Sequence, residues 1–187
     1  MHRVAVMSLA VLFVVAGSGC SLMAPKYTAS MENVQELKDA GDYTAKVGQF
    51  HSQPGPGNAN PISLRGNSLL SPYADSYANY VAEAIKQELT LAGKLSPDAV
   101  VEVSGVLLKN DLDAATFGMG QGDIEARFVV KKSGQVRYDK VVSAHYEWES
   151  SFAGAIAIPR AQQAYPELVQ KLLATLYADR SFVQALK

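Results

Sequence analysis

Apolar side chains recur at helical spacing in two long segments of the chain. The first segment follows Ser71, a good capping residue, has Pro72 at its first helical position, and runs to Gly93. Its apolar face comprises Tyr73, Tyr77, Tyr80, Val81, Ala84, Ile85 and Leu89. The second segment begins between Pro159 and Pro166. Its apolar face comprises Tyr165, Leu168, Val169, Leu172, Leu173 and Leu176. Both segments are predicted to be helices that pack on a sheet.

Other segments have the pattern of strands or of short helices. Strands are predicted where apolar and polar residues alternate or where valine and leucine dominate. These are residues 43–50, 99–108, 124–130 and 136–148. Ser30 is predicted to cap a brief helix that stops at Gly41, and Asp179 to cap a last short helix. Residues 54–61 are predicted to form a loop because they are rich in proline and glycine.

The length of the loop between the last two strands follows from the face of the sheet on which their apolar side chains lie. A three-residue loop over 133–135 sets Val130 opposite Tyr138 and buries the apolar sets of both strands on one face. A two-residue loop would send those sets to opposite faces. The longer loop is therefore predicted, with Gly134 in a left-handed conformation.

The order strand, helix, strand, strand, strand, helix predicts an α+β fold. We expect two helices packed on one face of a small mixed or antiparallel sheet. The chain of 187 residues has the size of one domain. The prediction is a single domain over residues 30–187.

The N-terminus has the composition of an export signal. A positively charged start at 1–3 precedes an apolar run at 4–15 and four small residues at 16–19. The run is too short to span a bilayer, which needs about twenty residues. We expect residues 1–19 to be a signal peptide that is removed and residues 20–29 to be a short tether.

The only cysteine of the chain, Cys20, follows directly on the small residues. Residues 17–20, Gly-Ser-Gly-Cys, resemble a bacterial lipobox, with Gly17 where a leucine is usual. The resemblance implies that Cys20 carries diacylglyceryl and acyl groups, palmitate among them, which anchor the protein to a membrane. Ser21 and Leu22 resemble the outer-membrane class of lipoproteins, which implies a domain facing the periplasm. The alternative is an ordinary signal peptide with an incidental cysteine.

Composition excludes several classes of partner and site. A net charge of -1 without runs of like charge argues against a nucleic-acid binder. The single cysteine excludes a disulfide within the chain and a cysteine-rich zinc site. With 48% hydrophobic and 19% charged residues, the chain has the composition of a globular protein.

Candidate catalytic residues are few, and no enzyme is predicted. After the signal only His51 and His145 remain, without metal-ligand spacing, and the sequence has no GxSxG motif. Asp111 and Asp113 are interpreted as a turn, and the GxGxG sequence at 118–122 as a flexible loop. No metal and no cofactor other than the lipid on Cys20 is expected.

The best candidate for a binding surface is the uncharged segment 150–159, SSFAGAIAIP. It carries Phe152, Ile156 and Ile158 where a polar loop would be ordinary. The segment is either buried beneath the helices or presents an apolar surface to a partner or to acyl chains.

The lipobox and the order of elements together resemble small envelope lipoproteins of Gram-negative bacteria. The chain is similar in element order to YajG-type lipoproteins and, more distantly, to the lipopolysaccharide-assembly lipoprotein and to lipoprotein activators of peptidoglycan synthases. These families act by binding, which implies a non-catalytic adaptor of an envelope assembly or transport machine with an envelope protein as partner. The alternative is a carrier of a lipid or other apolar ligand, held between the tyrosine-bearing helix and the sheet. A hydrolase ranks last.

Overall fold

A computed structural model describes residues 20–114 and 118–187; the signal peptide predicted over 1–19 lies outside them. The described part contains four helices and seven strands. The strands are β1 (Ser21–Met23), β2 (Ala45–Ser52), β3 (Ile62–Leu64), β4 (Asn67–Leu70), β5 (Val101–Asp113), β6 (Met119–Lys132) and β7 (Gln135–Glu149). The helices are α1 (Met31–Asp39), α2 (Tyr77–Leu91), α3 (Gly154–Ala178) and α4 (Arg180–Leu186).

The large sheet has the strand order β2-β5-β6-β7. Strands β2 and β5 are parallel and the other neighbours are antiparallel, so the sheet is mixed. Helix α2 packs on β2 and β5, helix α3 packs on β6 and β7, and α1 packs on both helices. The opposite face of the sheet carries no helix in the described part of the chain. The predicted α+β class is confirmed. The predicted number of elements was too low, because the described residues form four helices and two sheets and not two helices on one sheet.

A second sheet, β1-β4-β3, was not predicted. Strand β1 pairs in parallel with β4, and β3 forms a tight hairpin with β4. These strands have three or four residues, too few to establish an alternation in the sequence.

Both long helices begin at other residues than the sequence indicated. Helix α2 is capped by Ser76, whose Oγ accepts from the amide of Asn79 at 3.2 Å. Ser71 instead ties the preceding turn, since its Oγ donates to the carbonyl of Ser76 at 2.8 Å. Helix α3 begins at Gly154, earlier than expected, and contains Pro159 and Pro166.

The register of the last hairpin is as predicted, but its loop is not. Val130 lies opposite Tyr138, and Gly134 has a positive φ of 81°. The loop has only two residues, because Lys132 pairs with Gln135. A register shift after Val130 places the apolar residues of both strands on one face, as the longer loop would have done.

Candidate anchor and binding surface

Cys20 is exposed and joins the fold directly. Its carbonyl accepts a hydrogen bond from the amide of Ser68 at 3.1 Å, and strand β1 begins at the next residue. The amide of Ala24 then donates to the carbonyl of Leu70 at 2.8 Å. A group attached to the sulfur of Cys20 would therefore be held next to the small sheet.

Residues 20–29, predicted to be a tether, are in contact with the domain in the structure. Ala24 and Tyr27 are buried, and the hydroxyl of Tyr27 donates to Oε1 of Glu88 at 2.6 Å. The hydroxyl of Tyr80 donates to the carbonyl of Pro25 at 2.8 Å. No local pattern predicts this packing, because the contacts join residues more than fifty positions apart.

A buried carboxyl group fastens this N-terminal segment to helix α2. Glu88 is fully buried, and its Oε1 accepts from Tyr27 and, at 3.1 Å each, from the amide of Ser30 and Nδ2 of Asn33. Burial raises the pKa of Glu88, although these three hydrogen bonds act in the opposite direction. Tyr177 also lies near this carboxyl group and acts on the pKa of Glu88 in the same direction as the three hydrogen bonds.

One arginine connects the small sheet to the apolar segment. Arg65 lies in the β3–β4 turn and donates to the carbonyls of Ala114 at 2.6 Å, Phe152 at 2.7 Å and Ser151 at 3.1 Å. The guanidinium group thus fixes the chain just before α3. Sequence reasoning missed Arg65. The local sequence, Leu64-Arg65-Gly66-Asn67, predicts a turn but does not specify the contacts of the arginine.

The sequence left open whether the apolar segment was buried or exposed, and the structure shows part of it exposed. Phe152 is 73% exposed and Ile156 is 47% exposed, whereas Ile158 is half-buried. Ala157, between the two isoleucines, is fully buried. Met23, at the end of β1, is 49% exposed.

Cys20 and Phe152 are both hydrogen-bonded to the β3–β4 hairpin. Cys20 is bonded to Ser68, and Phe152 to Arg65. The three residue steps between Arg65 and Ser68 span at most about 11 Å.

Helix α3 then runs alongside β1. The Nε2 atom of Gln162 donates to the carbonyl of Met23, two turns beyond the start of the helix. From Cys20 to Met23 the strand advances about 10 Å, and from Gly154 to Gln162 the helix advances about 12 Å, so the two elements match in length. We call the side chains of Met23, Phe152 and Ile156 the anchor-end patch.

The tyrosines of helix α2 do not line a ligand groove between the helix and the sheet. Tyr77 and Tyr80 are fully buried, and the ring of each lies 4.9 Å from the ring of Tyr165. The hydroxyl of Tyr77 donates to the carbonyl of Leu69 at 2.7 Å, and that of Tyr80 to the carbonyl of Pro25 at 2.8 Å. The hydroxyl of Tyr165 donates to Oδ1 of Asn110 at 2.9 Å. The rings belong to the core.

The glycine-rich sequence at 118–122 is mostly strand and not a loop. Gly120 and Gly122 lie in β6. A Cβ at Gly120 would overlap the indole ring of Trp148, whereas one at Gly122 would meet terminal methyl groups of Leu112 and Leu168 that can shift. Asp111 and Asp113, interpreted as a turn, lie in strand β5. Both predictions were wrong because strands β5 and β6 extend further than their apolar alternation.

His145 lies on the helix-free face of the large sheet, as its position in the alternation indicated. Its Nδ1 is 3.0 Å from Oδ1 of Asp123, and its Nε2 is 3.4 Å from Oε1 of Glu147. Both hydrogen bonds raise the pKa of His145, and the one with Asp123 has the larger effect. Lys109 lies 3.2 Å from Asp123 as well. The arrangement is an exposed network of alternating charges, and Ser143 lines the same open pocket as His145 and Asp123.

Two open grooves border strand β2. One, of about 650 Å³, lies on the helix-free face, where Gly48, Ser104 and Gly105 leave a depression between larger side chains. The other, of about 440 Å³, lies where α2 meets β2; Val47, Ala82 and Leu95 line it together with the charged residues Lys46, Glu83 and Lys86.

Over residues 20–114 and 118–187, no group of three His, Cys, Asp or Glu side chains is arranged to hold a metal ion. Within the same ranges, no helix is long and apolar enough to cross a membrane.

The sequence matches no family model and no curated protein. Among solved structures, the chain is similar to a protein of the family DUF330 from Xanthomonas campestris, with a TM-score of 0.53 and 10% identity. That similarity covers 88% of this chain and 96% of the other. At this identity the comparison shows a shared fold.

Two further solved structures are less similar. A candidate lipoprotein from Caulobacter crescentus has a TM-score of 0.48 and 9% identity, over 82% of this chain and 96% of that one. A lipoprotein from Neisseria meningitidis has a TM-score of 0.30 and 12% identity, over 64% of this chain and 94% of that one. The lipidation of Cys20 and the YajG-type resemblance stay predictions.

Proposed function

We propose that this chain is a lipoprotein anchored through Cys20 to the outer membrane, and that its periplasmic domain acts as a non-catalytic adaptor for another envelope protein. The observation that carries the proposal is the position of Cys20. It is exposed, it follows a signal-like segment, and the fold begins one residue later.

This position suits a lipid attachment site. The thiol is accessible to a modifying enzyme, and acyl chains on it would extend away from the domain without disturbing the core. Two or more acyl chains give stable membrane attachment where one does not. An anchored domain also raises its effective concentration for partners in the same membrane, so a small interface suffices.

The helix-free face of the large sheet is the surface we assign to the partner. Its central strands expose a mixture of apolar and charged side chains, among them Val106, Val129 and Lys131 around the larger groove. Val141 on β7 is 53% exposed. Mixed surfaces of this kind are typical of non-obligate protein interfaces.

Labelling with radioactive palmitate tests the anchor. The wild-type protein should incorporate the label and fractionate with outer membranes, and Cys20→Ser should do neither. Incorporation into Cys20→Ser, or none into the wild type, would refute lipidation at this residue.

Photo-crosslinking in living cells tests the adaptor role. A crosslinking amino acid at Val129 should capture one envelope protein that mass spectrometry can identify, and Lys131→Glu should abolish that product. The same amino acid at Leu91, which is 54% exposed on helix α2, is the matched control. Equal capture at both positions, or none at Val129, would contradict an interface on the sheet.

A second candidate function is favoured by the groove between α2 and β2. Its lining includes the apolar side chains of Val47, Ala82 and Leu95, as a carrier of an acyl chain or other apolar ligand requires, with a few charged side chains around them. Native mass spectrometry of the protein purified from membranes would detect such a ligand beyond the covalent anchor. Ala82→Trp should abolish its binding by filling the groove.

A further inference from the structure

We propose that the anchor-end patch, Met23, Phe152 and Ile156, inserts into the surface of the membrane to which Cys20 is anchored. The inference rests on the proposed lipidation of Cys20 and adds a second contact to it. Lipid and side chains would together hold the domain in one orientation.

The patch has the character of a membrane-contacting surface. Its three large apolar side chains are 49%, 73% and 47% exposed, respectively. Exposed apolar residues that occur singly need no explanation, but here they come from two elements, β1 and the start of α3, that lie side by side. Aromatic and branched aliphatic side chains are those that interfacial segments insert into the boundary between headgroups and acyl chains.

The position of the anchor identifies the occupant. Cys20 and Phe152 are both bonded to the β3–β4 hairpin, and β1 runs beside the first turns of α3. A bilayer holding the acyl chains of Cys20 would therefore lie against the patch. A protein partner at the patch would have to fit between the domain and the membrane.

Hydrogen bonds also connect the chain at the patch to the hairpin that holds the anchor. Arg65 holds the carbonyls of Ser151 and Phe152, and the amide of Ala153 donates to Oγ of Ser151 at 3.2 Å. No linker separates Cys20 from β1. Membrane contact thus requires no rearrangement.

Charge does not drive this contact. Arg65 and Arg160 lie at this end, but the acidic residues Asp113 and Glu149 lie there too; Arg160 itself donates to the carbonyl of Glu149 at 3.1 Å. The contact should therefore form on zwitterionic phosphatidylethanolamine vesicles, and added salt should not abolish it.

Spin labels on the lipidated protein test the inference. The thiol of Cys20 is consumed by the lipid, so Phe152→Cys or Ile156→Cys introduces the only free thiol for a nitroxide label. The matched control is Val136→Cys: this valine is 56% exposed at the start of β7, a fifteen-residue strand whose other end lies near the patch. That separation is about 45 Å.

On vesicles, the nitroxides at 152 and 156 should have a collision rate with a water-soluble nickel complex several-fold lower than that of the nitroxide at 136. Their collision rate with oxygen, which concentrates in the bilayer, should be higher than at 136. Circular dichroism of each variant verifies that it is folded. Equal nickel accessibility at all three positions, with the protein still attached to vesicles, would overturn the membrane contact while leaving lipidation intact. A free thiol at Cys20 in protein purified from membranes would instead overturn the anchor, and the contact with it.

Discussion

Removal of the buried carboxyl group of Glu88 should release the N-terminal segment from the domain. Its Oε1 is the common acceptor for Tyr27, the amide of Ser30 and Nδ2 of Asn33. Leucine in its place has a similar volume but accepts no hydrogen bond. All three donors would then remain without this acceptor in a region closed to water.

The magnitude follows from those three donors. A buried donor that loses its partner costs about 1–3 kcal/mol. Because the amide of Ser30 is only partly buried, we expect Glu88→Leu to lower the free energy of unfolding by about 3–6 kcal/mol. Glu88→Gln keeps the accepting oxygen and should cost less than about 1 kcal/mol at acidic pH.

The two variants also differ from the wild type in pH dependence. Burial raises the pKa of Glu88 above its ordinary value of 4.5. A raised folded-state pKa gives stability that is fully present below 4.5 and is lost as pH rises through the folded-state value. The wild type should therefore lose stability relative to Glu88→Gln as pH increases.

Urea unfolding followed by tryptophan fluorescence measures these differences, since Trp148 is the only tryptophan. Curves at acidic, neutral and alkaline pH give the free energy of unfolding of the three proteins. An unfolding midpoint of Glu88→Leu equal to that of the wild type would refute the fastening role. A pH-independent difference between wild type and Glu88→Gln would refute the raised pKa.

Three further predictions concern other parts of the structure. Gly120→Ala places a methyl group against the indole of Trp148 and should destabilise by about 1–3 kcal/mol, with a shift in tryptophan emission. Arg65→Ala removes the donors that hold the segment before α3, and should speed amide hydrogen exchange there while the core stays protected. Asp123→Asn should lower the raised pKa of His145 toward 6.5, which NMR titration of the imidazole measures; the stability that His145 contributes below 6.5 and loses at higher pH should fall accordingly.

Each of these predictions has a control. Gly55→Ala adds the same methyl group where no atom lies within 4 Å and should leave stability unchanged. Arg65→Lys retains the charge but not the forked set of donors, so rescue by lysine would show that charge alone holds the segment. An unchanged pKa of His145 in Asp123→Asn would mean that Glu147 dominates.

Local patterns were sufficient for the parts of the fold that depend on local chemistry. The alternation in β6 and β7 determined the pairing of Val130 with Tyr138, because burial of both apolar sets allows one register. The predicted loop length was still wrong. A register shift within the strands and one extra loop residue both move the apolar side chains of β7 to the same face as those of β6, so the alternation alone does not distinguish them. Asp179 was predicted correctly as a helix cap, and its Oδ1 accepts from the amide of Ser181 at 2.8 Å.

Pairings between distant residues decide the candidate site, and no local pattern encodes them. The exposure of Phe152 could be stated only as one of two alternatives, because an uncharged segment at the start of a helix suits either burial or contact with a partner. Its proximity to Cys20 depends on the parallel pairing of β1 with β4 and on one arginine in the β3–β4 turn. The same pairing leaves no free tether after Cys20. If Cys20 is lipidated, the orientation of the domain on the membrane is therefore set by the fold itself, and the helix-free face of the sheet has a fixed direction in which to meet a partner.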